Sequence, residues 1–290
     1  LAVARMSPEG LKRLELNRLR KALAHAQETV PFWKDLFAER GFRPEALRSR
    51  EDLQALPILT KEVVRAQGRR MLSAAFPAER LMERRTGGST GEPLVFWQDR
   101  ATHEHQMATH LRTLRLLGLE AGEGEARIWG YGRPMTLPNL LGRLTGRLFL
   151  DAFHTDENRL RSWCHRISHL GPSLIYGYPS AIHSLGRYAR DHGVSFPTVR
   201  WVATTAEQLE PSVRSDIANT FGAGVSDLYG SHESVRMAWE CPSGRMHVAA
   251  DVAHLEFCPD PTLPRGSHRI LLSTLQPGAM PLFRYDLGDF

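Results

Sequence analysis

The chain has 290 residues, 42% hydrophobic and 8% aromatic, with a formal net charge of +5, enough apolar material for a large core in one domain or two. Its lysines and arginines are spread along the sequence without a basic run, which argues against a nucleic-acid footprint and suits anionic small molecules. No apolar stretch nears the roughly 20 residues of a spanning helix, and three cysteines, Cys164, Cys241 and Cys258, form neither a CxxC nor an even framework, which points to a reducing compartment, the cytoplasm.

Ser7-Pro8-Glu9 reads as a helix start: a capping hydroxyl, a proline in the first turn and an early acid. Leu16, Leu19, Leu23, Ala26 and Val30 then recur at spacings of three and four until Pro31 stops the pattern. Pro31-Phe32-Trp33 through Gly41 predicts a second, short helix. The stretch from Asp52-Leu53 to Leu56-Pro57-Ile58-Leu59-Thr60-Lys61 joins it to a third, which makes 1–80 a helical segment.

Residues 86–93 read Thr-Gly-Gly-Ser-Thr-Gly-Glu-Pro. Glycines at 87, 88 and 91 let the backbone take positive φ and approach a ligand closely, and Thr86, Ser89 and Thr90 add hydroxyl donors. Successive N–H groups in such a loop can form a nest for phosphate oxygens. It is not a Gly-Lys P-loop, because no Gly-Lys pair occurs in the chain. A ligand-free Gly/Ser/Thr surface turn is one rival reading. The other is a G-x-S-x-G nucleophile elbow at 87–91, which needs a strand before the serine and a helix after it. Neither Glu83-Arg84-Arg85 nor Pro93-Leu94-Val95-Phe96-Trp97 supplies those flanks.

His103, His105 and His110 lie in a helical stretch without an i,i+4 pair, so a solvated face is expected there and not a metal site. From Arg127 onward, strands at 127–131, 148–150, 173–176 and 199–203 alternate with helical patterns at 157–170, 180–192 and 211–221, the mark of βαβ units. Residues 81–230 form the α/β core of this reading. Trp129, Tyr131, Tyr176 and Tyr178 fall at strand ends, where α/β sheets open ligand clefts. Core packing explains them almost as well. Beyond residue 230 the strands shorten, at 246–248, 254–257, 269–272 and 281–284, which gives a β-rich part over 231–290.

Three further clusters carry chemistry. At 227–233 a strand ending in Tyr229-Gly230 runs into Ser231, His232 and Glu233, which brings an aromatic face and a metal-binding acid to the carboxyl end of a sheet. At 283–289, Asp286 and Asp289 flank Gly288; either could accept from sugar hydroxyls, and an Asp-Gly turn is the plain alternative. At 240–247, Cys241 and His247 offer two zinc ligands across a Pro-Gly turn, with Cys258 as a candidate third; a structural site takes four. A buried cysteine and a hydrogen-bonded histidine in a hairpin is the competing reading.

In this order, 86–93, the Tyr-Gly-x-x-Glu of 229–233 and the Tyr-x-x-Gly-Asp of 285–289 resemble the motifs of adenylate-forming enzymes, the superfamily of acyl-CoA synthetases and adenylation domains. Pro31-Phe32-Trp33, Leu56 to Lys61, Thr205-Ala206-Glu207 and Met280 to Tyr285 are similar to the phenylacetate–CoA ligase branch with its capsule-biosynthesis relatives. The resemblance covers nearly the whole chain. It implies an α/β fold, the large N-terminal AMP-binding domain over 1–290, built as two sheet subdomains with flanking helices plus a small β-rich part. The smaller C-terminal domain, with its hinge and lysine, would be absent, since the sequence stops at Phe290.

The roles implied by the resemblance are as follows. Thr86, Gly87, Gly88, Ser89, Thr90 and Gly91 would hold the β- and γ-phosphates of ATP. Glu233 would hold Mg²⁺, and Glu233 and Thr90 would be the catalytic pair. Ala206, Glu207, Tyr229, Gly230 and Ser231 would border the nucleotide, and Asp289 would take the ribose hydroxyls. Thr205 stands where glycine is commoner and Asp286 where a basic residue is commoner, so the ribose role could fall to Asp286. The implied reaction joins a carboxylic acid, an aryl acid in an acyl pocket lined by Trp129, Tyr131, Tyr176 and Tyr178, to AMP and passes the acyl group to coenzyme A. A nucleotide-binding remnant without turnover, or an enzyme with another acceptor, is the alternative.

Overall fold

The computed structural model describes residue 3 and residues 6–85, 94–120, 122–130, 142, 145–153 and 155–290. It divides into two compact units: Leu1–Thr109 with Ser231–Met237 and Val248–Phe290, and His110–Gly230 with Ala238–His247. This is not the chain-order partition into 1–80, 81–230 and 231–290, because the late strands gather with the N-terminal helices.

In the first unit, helix α1 (Pro8–Thr29) opens where Ser7 Oγ accepts the Gly10 amide at 3.1 Å. Helix α2 (Pro31–Arg40) ends on Gly41, whose φ of 61° is the left-handed cap that glycine adopts without strain. The buried stripe of α1 runs through Leu19, Ala22, Leu23 and Ala26 as the spacing requires, but Leu16 is half-buried and its neighbour Glu15 is buried. The reason is a pair of distant partners: Glu15 accepts from His254 Nδ1 at 2.8 Å and from Arg50 Nη1 at 2.8 Å. Helix α3 (Lys61–Gln67) is capped by the Thr60 side chain.

Strands β1 (Met82–Arg85) and β2 (Val95–Gln98) pair antiparallel with Arg85 opposite Val95. Residues 86–93 lie between these paired strands and outside the described residues; the first described element after them is the strand β2, not the helix that a nucleophile elbow needs. Helix α4 (Arg100–Leu116) follows, its Thr102 amide held by Asp99 Oδ1 at 2.8 Å. Gln106, Thr109, His110 and Thr113, spaced i, i+3, i+4, i+7, are buried polar residues on this helix. His110 is 1% exposed, which corrects the solvated face expected of it.

The second unit is a seven-stranded sheet. Its strands are β3 (Glu125–Trp129), β4 (Arg147–Asp151), β5 (Leu174–Gly177), β6 (Trp201–Thr205), β7 (Gly224–Tyr229), β8 (Ala238–Glu240) and β9 (Met246–Val248), in the order β4-β3-β5-β6-β7-β8-β9. Pairing is parallel from β4 to β7, and β8 returns antiparallel. Helices α5 (Glu157–Leu170), α6 (Pro179–Asp191) and α7 (Pro211–Phe221) make the crossovers, and each αL glycine after α5 and α7, Gly171 and Gly222, closes its helix. Ile128, Ile175 and Val202 on the strands pack with Ile167, Ile182, Leu185 and Ile217 on the helices, each such burial contributing roughly 1.5–3 kcal/mol. Gly177 admits a close approach: a Cβ there would lie 2.0 Å from the Ile128 carbonyl oxygen.

The amino end of β3 carries a buried charge. Glu125 Oε1 accepts from Arg127 Nε at 2.7 Å and lies 3.8 Å from His110 Nε2. Burial opposes its ionisation, but the adjacent His110 ring and the Arg127 guanidinium outweigh it and hold the carboxyl at about 2.

The chain returns to the first unit for β10 (Ala253–Pro259), β11 (His268–Thr274) and β12 (Tyr285–Asp286), an antiparallel sheet in that order. The strand expected at 281–284 is not formed. Pro281 has no amide hydrogen, and Arg284 takes φ of 50°, turning the chain while its guanidinium Nε reaches Glu256 Oε2 at 3.0 Å. Instead the segment holds the N-terminal helices: Trp33 Nε1 donates to the Pro281 carbonyl at 2.9 Å, and its ring meets Phe283 edge-on at 4.9 Å.

Candidate functional site

The sequence-predicted residues fall into two groups, one in each unit, and each group is described by itself. Thr86, Gly87, Gly88, Ser89, Thr90, Gly91 and Tyr131 lie outside the described residues.

In the second unit the group forms where parallel strands end. Trp129 closes β3, and the Tyr176 and Tyr178 rings lie at and beyond the end of β5. Registered neighbours bring the rings together: Trp129 stacks on Tyr176 at 5.8 Å and meets Tyr178 at 4.7 Å. The Arg127 guanidinium lies 5.7 Å from the Tyr176 ring centre, a cation–π contact. Burial pushes the Tyr178 phenol up, with a hydrogen bond at the Gly130 backbone acting the other way. Phe153, 63% exposed, covers the same end of β3: a Cβ on Gly130 would lie 2.6 Å from its ring. The sequence carried one signal for Phe153, the glycine directly after Trp129.

One strand along, Ala206 follows β6 with φ of 67°, a left-handed conformation that costs a non-glycine residue on the order of 1 kcal/mol. That turn aims Glu207 back at α6. Its Oε2 accepts the Ser180 amide at 3.1 Å and its Oε1 the Ser180 hydroxyl at 3.0 Å. Tyr178, at the N-cap of α6, makes no side-chain cap, so a carboxylate from 27 residues away supplies it. Thr205 of β6 pairs with Leu228 of β7, which places Ala206 beside Tyr229 at the same sheet edge. Beneath them Thr204 Oγ1 donates to Asp227 Oδ1 at 2.8 Å, and burial pushes the Asp227 carboxyl up.

In the first unit, 231–237 is an irregular turn. The Ser231 amide donates to the Ser234 carbonyl at 3.1 Å, and the Ser234 amide donates to Ser231 Oγ at 3.2 Å. The half-buried Glu233 projects from this turn, and its Oε1 accepts the Tyr285 hydroxyl at 2.9 Å. Tyr285 is fully buried, and burial, followed by the Glu233 charge, pushes its phenol well above the usual range. Glu233 also lines a cavity of about 40 Å³ with Gln98, Asp99, Gln106 and Thr274. Tyr285 was legible as a motif residue, but its partner was not, since 52 residues separate the two.

The late aspartates differ. Asp286 Oδ2 accepts from Arg269 Nη1 at 2.8 Å and its Oδ1 accepts the Gly288 amide at 2.9 Å, whereas Asp289 is exposed. In the β8–β9 hairpin, Cys241 Sγ lies 3.0 Å from Ser243 Oγ. Hydrogen bonds from Ser243, the Arg245 backbone and His247 bring its thiol down to about 6. Among the described residues no three His, Cys, Asp or Glu side chains gather in a metal-holding group. Cys258 belongs to β10 in the other unit, paired across the sheet with Arg269.

No family model matches the chain. Among curated proteins it is 26% identical over 291 residues to a phenylacetate-coenzyme A ligase of Thermus thermophilus, covering 97% of this chain and 65% of that protein. It is 23% identical over 259 residues to protein CapK of Staphylococcus aureus, covering 82% of this chain and 53% of that protein. Among solved structures, 2-hydroxyisobutyryl-CoA ligase in complex with 2-HIB-AMP and CoA superposes with a TM-score of 0.80 at 21% identity, over 98% of this chain and 64% of that one. The chain has the fold of the acyl-CoA ligases of the adenylate-forming superfamily. It spans about half to two thirds of the length of the ligases and of CapK that it matches. Among the described residues no helix is long and apolar enough to cross a membrane.

Proposed function

We propose that the protein belongs to the machinery of an AMP-forming acid ligase, which joins a carboxylic acid to AMP from ATP and passes the acyl group to coenzyme A. The observation that carries this reading is the match over 98% of the chain to a ligase solved with an acyl-adenylate and CoA, supported by the order of the three motifs. The 86–91 loop, Thr90 included, cradles the β- and γ-phosphates. Ala206, Tyr229, Gly230 and Ser231 border the nucleotide, with Glu207 holding the turn that carries Ala206. Asp289, the acid that closes the Tyr-x-x-Gly-Asp motif, takes the ribose hydroxyls. Trp129, Tyr131, Tyr176 and Tyr178, joined by Phe153, face an aryl acid.

Glu233 fits a Mg²⁺ ligand. Its carboxylate is half-buried, one oxygen accepts from Tyr285, and the other has no hydrogen-bond partner among the described residues. Bound Mg²⁺ supplies positive charge to the triphosphate. The substrate carboxylate attacks the α-phosphorus, pyrophosphate leaves, and fixed donors stabilise the charge that grows on the phosphoryl oxygens. No protein nucleophile is required. Zinc at Cys241 and His247 is not part of this proposal, since two ligands do not close a structural site. A reducing compartment, the cytoplasm, suits cysteines that are all free thiols.

Calorimetry with ATP, in the presence and absence of Mg²⁺, tests the binding half. Pyrophosphate exchange into ATP over a panel of aryl and aliphatic acids tests the chemistry. Binding that requires Mg²⁺ and weakens in Glu233→Gln is the expected result. A folded protein that binds no nucleotide at millimolar ATP overturns the proposal.

A further inference from the structure

We propose that Tyr285 is a positioning residue for the Glu233 carboxylate: its hydroxyl holds one oxygen so that the other is presented to the divalent cation. This rests on the reading that Glu233 is the cation's ligand.

Glu233 needs such a tether because its backbone belongs to an irregular turn, with neither a helix nor a strand to fix the direction of its side chain. A glutamate there has three side-chain torsions to order, and an unheld carboxylate would lose that freedom on binding metal. Tyr285 is the opposite kind of residue. It is fully buried, and its backbone is pinned on both sides. On one side β12 pairs Tyr285 with Leu272 of β11; on the other, a parallel bridge joins it to Leu59. Two backbone hydrogen bonds of 2.9 Å close that bridge, from the Leu59 amide to the Arg284 carbonyl and from the Asp286 amide to the Leu59 carbonyl.

The bend at Arg284 completes the arrangement. Its φ of 50° turns the chain between Phe283, packed on Trp33, and Tyr285, and the guanidinium is tied to Glu256. The phenol therefore reaches Glu233 from a rigid support. A hydroxyl donating to Oε1 at 2.9 Å uses that oxygen's hydrogen-bonding direction and sets the plane of the carboxylate. Oε2 is left as the atom that a hard cation can take. Groups that orient a metal ligand in this way commonly tune affinity by one to two orders of magnitude.

Tyr285→Phe removes the hydroxyl and keeps the ring, so the test is a comparison of three proteins: wild type, Tyr285→Phe and Glu233→Gln. ATP binding is measured by calorimetry across a Mg²⁺ titration and in EDTA. Mn²⁺ uptake with ATP is followed by loss of the free-ion resonance, a readout independent of turnover. Tyr285→Phe is expected to raise the half-saturating Mg²⁺ and Mn²⁺ concentrations about tenfold while leaving metal-free ATP binding unchanged. An unshifted metal curve in Tyr285→Phe, with a shifted one in Glu233→Gln, overturns the positioning role alone. Equal weakening with and without metal marks a purely structural role and also overturns it. Unshifted curves in both variants refute the assignment of Glu233 itself. A cooperative thermal melt and the wild-type near-UV spectrum establish that Tyr285→Phe is folded. If it is not, Tyr285→Trp, which keeps an aromatic ring but moves the donor, is measured in its place, with the same outcomes.

Discussion

The two groups of candidate site residues are held in place by different physics. In the second unit, Trp129, Tyr176, Tyr178 and Phe153 gather at the ends of neighbouring parallel strands, so each ring is fixed by register and by contact with other rings. In the first unit a single carboxylate on an irregular turn is fixed by one phenol. A surface made of several rings degrades gradually when one is removed. A site resting on one hydrogen bond keeps its shape or loses it in a single substitution.

The largest effect is expected in the frame beneath the rings. Glu125→Leu leaves Arg127 and His110 without their buried acid, and breaking such a pair by removing one partner costs about 3–5 kcal/mol, read from urea unfolding. The pH dependence follows from the same group. Its folded value, about 2, lies below the ordinary 4.5. Its contribution, about 3 kcal/mol by that difference, is therefore complete above pH 4.5 and is lost as pH falls from there towards 2. A wild-type protein whose unfolding free energy stays flat over that range, or falls no faster than that of Glu125→Leu, contradicts the assignment.

Next comes Glu233→Gln, where the Mg²⁺-dependent part of ATP binding should fall more than about 100-fold, since a ligand should matter more than the groups that orient it. Calorimetry with and without Mg²⁺ reads it; a loss shared equally by both conditions would place Glu233 outside the metal site. Tyr178→Ala sharpens the contrast from the other side. Removing one ring of several should reduce the preference for aryl over aliphatic acids by about tenfold, the scale of an aromatic contact. An all-or-none loss of exchange activity would mean that the rings do not share the work. The smallest effect is Glu207→Ala, which takes both hydrogen bonds from Ser180 and should lower stability by about 1 kcal/mol, as cap removal does. Thermal melting and the nucleotide Kd together decide whether Glu207 supports the turn only or also touches adenine.

The second unit was the more legible of the two in the sequence. Helices expected at 157–170 and 211–221 are found with those bounds, since proline, glycine and an apolar period marked them. Four of the five strands of its parallel core were located to within two residues, and the fifth, β7, by its end at Tyr229. What stayed hidden was polar and long-range. Glu15 is buried because His254, 239 residues away, meets it. His110 is buried because Glu125 and Arg127 form on another element. The stretch 281–284 reads as a strand by composition, but the turn at Arg284 and the grip on Trp33 decide otherwise. The Tyr285–Glu233 contact joins two motifs that were each visible, and no spacing rule pairs them.

Gly177 sets where this protein can diverge. A methyl group there would meet the Ile128 carbonyl oxygen at 2.0 Å, a backbone atom that cannot turn aside as a side chain would, so β3 and β5 would have to part. On the proposed reading of the rings as an acid pocket, selection for a different acid, in nature or in a laboratory library, is thereby closed off at Gly177. The routes left open run through the rim, at Trp129, Phe153 and Tyr178. A library confined to those three positions should yield folded proteins with altered acid preferences, while one that includes Gly177 should mostly return chains that fail to fold.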